Sequence, residues 1–172
     1  VAHDPFLERM SPVLEQLRTE TQETVILGKR QKDQILYLEV IESPQTIRYS
    51  SRAGALKPLH STCIGKVMLS ALKPAELVAW LDKHPLPKVT NTTITHRTRL
   101  LQDLEAGVKA GYFTTRGENV ADVTAIAVAV PVNNELLGLA IAGPTHRMEP
   151  QFEQQVARLI QAQFRFKSEG IT

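Results

Sequence analysis

Two long apolar runs, Val123–Val132 and residues 136–142, most constrain how this chain can fold. Asn133 and Asn134 lie between them, and such a polar pair between β-rich runs is typical of a tight hairpin. The longest uninterrupted apolar stretch, residues 125–132, has the length of a strand and falls far short of the ~20 residues that a membrane-spanning helix needs. The sequence therefore predicts an apolar β-hairpin and no membrane span.

The remaining pattern places strands and helices in separate groups. Consecutive strands joined by short turns, together with segregated helices, predict an α+β domain with an antiparallel sheet. The expected order is one helix, two or three strands, three helices, three strands and a last helix. Further strands are predicted at 24–27, 34–41, 46–50 and 112–115, with a polar turn at 29–33. Helices are predicted from residue 6 to 17, from 61 to 72, from residue 74, from 97 to 110 and from 150 to 166.

Helical spacing also assigns the buried faces. Val108 is expected inside the helix over 97–110, and Phe164 is expected inside the last helix. Gly111 is the expected residue just after the C-terminal end of the helix that precedes it. Pro12 falls inside the first helical pattern and predicts a kink or a break there.

Composition places the chain among soluble globular proteins. Its 172 residues predict one domain, and 42% apolar with 22% charged residues is ordinary for that class. The formal net charge is +2, with basic and acidic residues interleaved, whereas a DNA-contacting module would concentrate its basic residues on one face. The single cysteine and the lack of a secretory pattern at the N-terminus favour a cytoplasmic location.

The sequence contains few residues in patterns typical of catalytic or metal-binding sites. The five histidines are scattered, and no CxxC, HExxH, GxSxG or phosphate-loop pattern occurs, so no metal, no cofactor and no enzymatic activity are expected. Cys63 follows His60 by three residues and is the one candidate nucleophile. However, Cys63 shares an apolar helical face with Ile64 and Val67, where cysteine behaves as a small buried hydrophobe.

A candidate pocket lies where small residues meet a helix start. Gly54 and Ala55 precede the helix predicted over 61–72, and small residues let a ligand approach backbone N–H groups. The N-terminal end of that helix favours a carboxylate or another anion. The alternative is that Ser61 or Thr62 only caps the helix. The residues assigned to this pocket are Gly54, Ala55, Leu56, His60, Ser61 and Met68.

At this loop the sequence resembles a known family. Residues 52–70 resemble the pattern of the IclR family of bacterial transcription regulators: G-A, then P-L-H, then a helix with G-K-x-x-L. Segments 23–27 and 37–45 upstream continue the resemblance, as do 125–127 and 141–144 downstream. Shorter matches in the same order are Gly111 with Tyr112 and Glu118 with Asn119. The resemblance covers about residues 13–160.

The resemblance implies a GAF-like (profilin-like) α+β domain in which helices flank a curved antiparallel sheet. It implies a single effector-binding domain over residues 1–172, with a linker-proximal helix at 1–20 and a tail from about residue 168. Family members also carry an N-terminal winged helix-turn-helix domain, which is absent from these residues. The expected partners are a small organic effector and further copies of the chain, in a homodimer or homotetramer. Operator DNA is expected to bind only through the missing domain.

The same resemblance assigns the ligand contacts. In members that bind small 2-oxo acids, the carboxylate meets backbone at the pair that corresponds here to Gly54 and Ala55. The acidic residue, the cysteine and the two serines that complete those sites are replaced here by Thr115, Ala125, Ala140 and Ala142. A buried ligand group left without its hydrogen bond costs ~1–3 kcal/mol. The sequence therefore predicts a larger, partly apolar acid, such as an aromatic or alicyclic carboxylate, rather than glyoxylate or pyruvate.

Two alternatives remain open at this point. A GAF-like enzyme that uses Cys63 predicts an exposed and reactive thiol. A pure oligomerisation module predicts an exposed apolar patch and a filled core without a cavity.

Overall fold

A computed structural model describes residues 5–169 and shows one antiparallel sheet flanked by helices. Across the described part of the chain the sheet has six strands in the order β3-β2-β1-β6-β5-β4. The strands are β1 (Thr24–Gln31), β2 (Gln34–Ile41), β3 (Leu56–Pro58), β4 (Phe113–Arg116), β5 (Val123–Val132) and β6 (Glu135–Pro144). The α+β class with an antiparallel sheet is confirmed.

Helices cover both faces of this sheet. Two long helices and one short helix contribute to the core on one face, and the other three contribute to the core on the opposite face. The helices are α1 (Pro5–Thr21), α2 (Cys63–Ser70), α3 (Pro74–Lys83), α4 (Arg97–Ala110), α5 (Thr145–Met148) and α6 (Phe152–Glu169). A 3-10 turn, Glu149–Gln151, joins α5 to α6. No helix within residues 5–169 is long and apolar enough to cross a membrane.

Strands β5 and β6 are almost continuously apolar because helices cover both faces of the sheet. Successive side chains of a strand point to opposite faces, so a strand covered on both faces must be apolar at every position. Ile126 lies in the core beneath α1 and α6, whereas its neighbour Ala127 lies in the core beneath α2. On β1, Leu27 and Ile26 divide between the two cores in the same way.

The two hairpins form by different turns. Asn133 and Asn134 connect β5 to β6, as predicted, and Asn133 takes a positive φ of 54° that asparagine tolerates. The first hairpin turns over two residues, Lys32 and Asp33, rather than over 29–33. The polar residues before Lys32 extend β1, because they pair with β2 where the strand end is open to solvent.

The strand predicted at 46–50 is wrong, since the third strand is β3 instead. Backbone carbonyls in that segment bond to side chains rather than to a neighbouring strand. Arg147 donates to the Ile47 carbonyl at 2.8 Å, and Thr24 donates to the Tyr49 carbonyl at 2.5 Å.

Two predicted buried positions and one predicted break are also wrong. Val108 is 62% exposed, because α4 presents Gly107 to the sheet and Phe113 fills the space a side chain there would need. Phe164 is 61% exposed, and Phe166 takes the buried position in its place. Pro12 lies on the exposed side of α1, and the helix continues through it without interruption.

Candidate functional site

A cavity of about 30 Å³ lies between the sheet and the start of α2. Its floor consists of small side chains, Ala125 on β5 with Ala140 and Ala142 on β6. A volume of this size accommodates one or two water molecules, whereas an engineered cavity of about 150 Å³ binds benzene. An organic acid therefore enters only if part of the wall moves.

Strand register brings the floor residues together. Ala125 pairs with Thr115 on one side and with Ala142 on the other. Ala140, two residues from Ala142 and hence on the same face, pairs with Ile26 of β1. Three adjacent strands, β4, β5 and β6, thus contribute short side chains to one patch beneath α2, and Ile26 of β1 borders this patch at the cavity.

The first turn of α2 forms the roof. Thr62 is the N-cap residue: its hydroxyl accepts from the Gly65 amide at 3.2 Å and donates to the Pro58 carbonyl at 2.6 Å. The first amides of a helix have no partner within it, and Cys63 and Ile64 at these positions line the cavity. Their N–H groups and the positive end of the helix favour an anionic or electron-rich group there.

Two polar side chains on the wall retain hydrogen-bonding capacity. Thr115 is only 5% exposed and borders the cavity, and its hydroxyl has no hydrogen-bond partner among residues 5–169. The Asn119 carbonyl oxygen accepts from Ser61 Oγ at 3.0 Å, which leaves the amide NH₂ of Asn119 available. Thr115 can donate or accept, and the Asn119 nitrogen donates.

Two phenols complete the wall on the other side. Tyr37 is buried on β2, and Tyr49 reaches the cavity from the irregular segment between β2 and β3. Burial raises the pKa of Tyr37, and the neighbouring Tyr49 hydroxyl raises it further, so the Tyr37 phenol stays protonated at neutral pH.

The cavity wall contains no charged side chain among residues 5–169. The nearby cation, Lys66, is buried and committed elsewhere: its Nζ lies 2.5 Å from Asp103 and 2.8 Å from Glu118, and it donates to the Thr114 carbonyl at 2.9 Å. A bound carboxylate would therefore meet amide and hydroxyl dipoles rather than a free ammonium group.

Cys63 is a buried neutral thiol. Burial raises its pKa to about 12, and the Lys66 charge with the first amides of α2 offsets only part of this effect. Nucleophilic cysteines need the opposite, a lowered pKa with partial exposure. Within the described range of the chain, no group of three or more His, Cys, Asp or Glu residues could hold a metal ion.

The structure brings four of the sequence-assigned site residues to the cavity: Thr115, Ala125, Ala140 and Ala142. Ser61 does not line the cavity, but its hydroxyl donates to Asn119, which does. Sequence reasoning missed Tyr37 and Tyr49, because strand and loop patterns carry no information on which distant segments meet.

The expected role of Gly54 and Ala55 requires correction. The Gly54 amide donates to the Tyr37 carbonyl at 2.8 Å, and the Ala55 amide donates to the Arg52 carbonyl at 3.3 Å. Neither amide is left for a carboxylate, and neither residue lines the cavity. The residues at the start of α2 that do line it are Thr62, Cys63 and Ile64.

Three further assigned residues also lie away from the cavity wall. Leu56 is on the edge strand β3 and is largely exposed. His60 is buried, its Nε2 lies 2.9 Å from the Pro87 carbonyl, and burial lowers its pKa. Met68 lies more than one helical turn further along α2, in the core above the sheet.

Comparison with known proteins shows the family to which the chain belongs. The family model described as "Bacterial transcriptional regulator IclR C-terminal" matches residues 1–165. The HTH-type transcriptional regulator KipR of Bacillus subtilis is 33% identical over 136 residues, which cover 77% of this chain and 54% of KipR. The chain spans about half the length of the curated relatives it matches.

Solved structures share the fold. The C-terminal domain of Escherichia coli KdgR superposes with a TM-score of 0.82 at 28% identity, over 95% of this chain and 97% of that one. An IclR homologue from Microbacterium hydrocarbonoxydans, solved in complex with 4-hydroxybenzoate, superposes with a TM-score of 0.84 at 23% identity. The match covers 95% of this chain and 67% of that protein, and at this identity it shows a common fold.

Proposed function

The chain belongs to the IclR family of bacterial transcriptional regulators, as its C-terminal domain, and from that premise we propose that its cavity binds a small, partly apolar carboxylic acid. Occupancy of the cavity then modulates how the intact protein binds operator DNA. The observation that carries the proposal is the cavity wall, where two residues with polar side chains, Thr115 and Asn119, lie beside an apolar alanine floor.

The start of α2 supports a carboxylate at one end of the ligand. Cys63 and Ile64, in the first turn of α2, line the cavity at the positive end of the helix, and Thr115 with Asn119 adds donors nearby. No acidic side chain of residues 5–169 lines the wall. The nearby Glu118 carboxylate disfavours negative charge at Cys63, but the Lys66 ammonium group pairs with it and favours such a charge.

The alanine floor supports an apolar remainder. The side chains of the floor, Ala125, Ala140 and Ala142, cannot form hydrogen bonds. A compact polar acid such as glyoxylate would therefore bury its carbonyl group against them without a hydrogen-bond partner. An aromatic or alicyclic ring instead buries its surface against these methyl groups and Ile26. The 4-hydroxybenzoate held by the Microbacterium structure supports this choice at the level of the fold.

The DNA-binding role belongs to the whole regulator. The curated relatives are named HTH-type regulators, and each is about twice the matched length. Operator contact through a helix-turn-helix domain outside these residues, cytoplasmic location, and assembly as a homodimer or homotetramer are parts of the same proposal. KipR and KdgR are regulators, and the buried neutral Cys63 gives no support to an enzyme.

Thermal unfolding with a panel of acids tests the proposal. Benzoate, 4-hydroxybenzoate and cyclohexanecarboxylate should raise the melting temperature, because a ligand at 100 times its Kd stabilises the folded state by about 2.7 kcal/mol. Glyoxylate and pyruvate should have no effect at the same concentration. Stabilisation by glyoxylate or pyruvate alone would contradict the proposed ligand class.

Substitutions locate the site. Ala142→Leu fills the floor and should abolish the shift, whereas Ala55→Leu, outside the cavity, should retain it. Thr115→Val should weaken binding about tenfold, because it removes one hydrogen bond to the ligand. Binding that survives Ala142→Leu but not Ala55→Leu would place the site elsewhere.

A further inference from the structure

Tyr49 borders the cavity from a segment without regular structure. The other lining side chains belong to strands, to the first turn of α2, or to the short connection between β4 and β5. Tyr49 instead sits in residues 42–55, the irregular loop between β2 and β3, which we call the Tyr49 loop. Ile47 in this loop is 66% exposed, so little packing holds its outer part.

The cavity must expand to admit an acid, and the Tyr49 loop is the wall that can move. The alanine floor and the α2 roof are fixed by strand ladders and helical hydrogen bonds, which would have to break. Rotation of the half-buried Tyr49 ring breaks no backbone bond within a regular element. Tyr49 lines the cavity together with Tyr37 and Cys63, and its phenol lies close to that of Tyr37.

The wall opposite Tyr49 is held far more firmly. Three threonines between α3 and α4 donate to three consecutive carbonyls: Thr92 to Arg116, Thr90 to Gly117 and Thr93 to Glu118. The buried Lys66 pairs with the Glu118 side chain in addition. The backbone directly before Asn119 is therefore bonded at three consecutive carbonyls, which favours movement on the Tyr49 side of the cavity instead.

Anchors of the Tyr49 loop converge on the junction between α1 and β1. Thr24 at the start of β1 donates to the Tyr49 carbonyl at 2.5 Å, and Ser43 donates to the Gln22 carbonyl at 2.7 Å. Arg147 donates to the Ile47 carbonyl at 2.8 Å.

The same Arg147 guanidinium forms two bonds, of 2.7 and 2.8 Å, to the buried carboxylate of Glu23. Glu23 lies between α1 and β1, where Gln22 has a positive φ of 60°. Arg147 therefore connects the Tyr49 loop to Glu23, close to the end of α1.

We infer that Tyr49 is the gate residue of the cavity: its ring swings outward to admit the effector, and its loop passes that displacement to the α1–β1 junction. The inference rests on the proposed function for the identity of the ligand, but opening itself is measurable without one. Cys63 is the single cysteine of the chain, is buried, and borders the cavity beside the gate.

The rate at which N-ethylmaleimide labels Cys63 in the 172-residue chain reports opening of the gate. Tyr49→Ala should speed labelling about tenfold, and the rate should not depend on low concentrations of denaturant, as expected for local rather than global opening. Tyr49→Phe, which keeps the ring, should remain slow. Tyr112→Ala is the matched control, since this half-buried tyrosine packs against Phe152 in the opposite core. Labelling of Tyr49→Ala that is no faster than wild type, or only as fast as its lost global stability predicts, would overturn the inference.

The anchors are tested by isosteric substitution. Thr24→Val removes the bond to the Tyr49 carbonyl and the bond from the Ser43 amide, both of which hold the Tyr49 loop, and should also speed labelling. Thr124→Val, at an equally buried strand threonine bonded to Thr145, should not. Hydrogen exchange of amides at 21–25 should rise in Tyr49→Ala, while exchange at 116–119 stays unchanged. Unchanged exchange at 21–25 would overturn the coupling to α1.

Added acids separate the two proposals. If 4-hydroxybenzoate or cyclohexanecarboxylate slows labelling of the wild-type chain, the cavity binds acids. If no acid protects Cys63 while Tyr49→Ala still speeds labelling, the gate stands and the proposed ligand class fails. If an acid protects Cys63 but Tyr49→Ala has no effect, the ligand class stands and the gate fails.

Discussion

The Lys66 ammonium group lies 2.8 Å from the Glu118 carboxylate, and the Lys66 side chain has no exposed surface. Glu118 also accepts from the Arg116 amide at 3.1 Å, so both of its oxygens are engaged. The pair joins α2, which supplies the cavity roof, to the segment that carries Asn119. A buried cation of this kind is tolerated only because carboxylates and a carbonyl surround it.

Replacing Lys66 with methionine should destabilise the domain by about 3–5 kcal/mol, because the partly buried Glu118 carboxylate loses its counter-charge. The free energy of unfolding from urea titration measures the effect. Adding Glu118→Gln to Lys66→Met should recover part of the loss, since the orphaned charge is removed. Lys109→Met is the control: its pair with Glu105 is exposed, and its loss should change stability by about 0.5 kcal/mol or less.

Features encoded by neighbouring residues are predictable from the sequence. The β5–β6 hairpin, the bounds of α4 and the αL residue Gly111 depend on local turn and capping preferences, and the structure has all three. The burial of Lys66 could not be predicted, because its partners Asp103 and Glu118 are distant in sequence.

The candidate site is also predictable only where its residues lie in locally encoded elements. Ala125, Ala140 and Ala142 can be located because they lie on predicted strands at positions that a family resemblance marks. The assignment of Gly54 and Ala55 to the ligand site depends on a match of only two residues. In the structure their amides donate to the Tyr37 and Arg52 carbonyls instead. No local pattern distinguishes a glycine–alanine pair that binds a ligand from one that closes a turn.

Gly65 and Gly54 should respond very differently to alanine. A Cβ at Gly65 would collide with the Leu59 carbonyl group, which is backbone and cannot rotate away, so Gly65→Ala should cost about 3 kcal/mol. Gly54 has open space around it and a φ of +91°, so Gly54→Ala should cost only the ~1–2 kcal/mol of a left-handed backbone. Urea titration of both variants compares them, and equal losses would contradict the close contact between α2 and Leu59.

The two phenylalanines near the end of α6 provide a direct test of the helix phase. Phe166 is fully buried beneath the sheet, so Phe166→Ala should destabilise by about 3–5 kcal/mol. Phe164 is 61% exposed and lies beside Lys167, so Phe164→Ala should change stability by about 0.5 kcal/mol or less. Calorimetric unfolding of each variant measures both. A larger loss of stability for Phe164→Ala than for Phe166→Ala would mean that Phe164 lies on the buried face of α6, as sequence spacing predicts.

Cys63 should make stability depend on alkaline pH. Burial raises the pKa of its thiol from an ordinary value of 9.0 to about 12, so the folded state holds the proton more tightly than the unfolded state. The associated stability is complete below pH 9.0 and is lost as pH rises from there toward 12. Tyr37 also has a raised pKa, so the informative quantity is the difference between wild type and Cys63→Ala.

That difference should be constant below about pH 8.5 and should then shift in favour of Cys63→Ala, with a slope approaching about 1.4 kcal/mol per pH unit. Urea titrations from about pH 7 to about pH 10.5 supply the free energies across that window. Cys63→Ser is unsuitable as the reference, because a buried hydroxyl introduces a hydrogen-bonding demand of its own. Parallel pH curves for wild type and Cys63→Ala would mean that the thiol reaches solvent in the folded protein. The Tyr49 side of the cavity would then stand open at rest rather than closed.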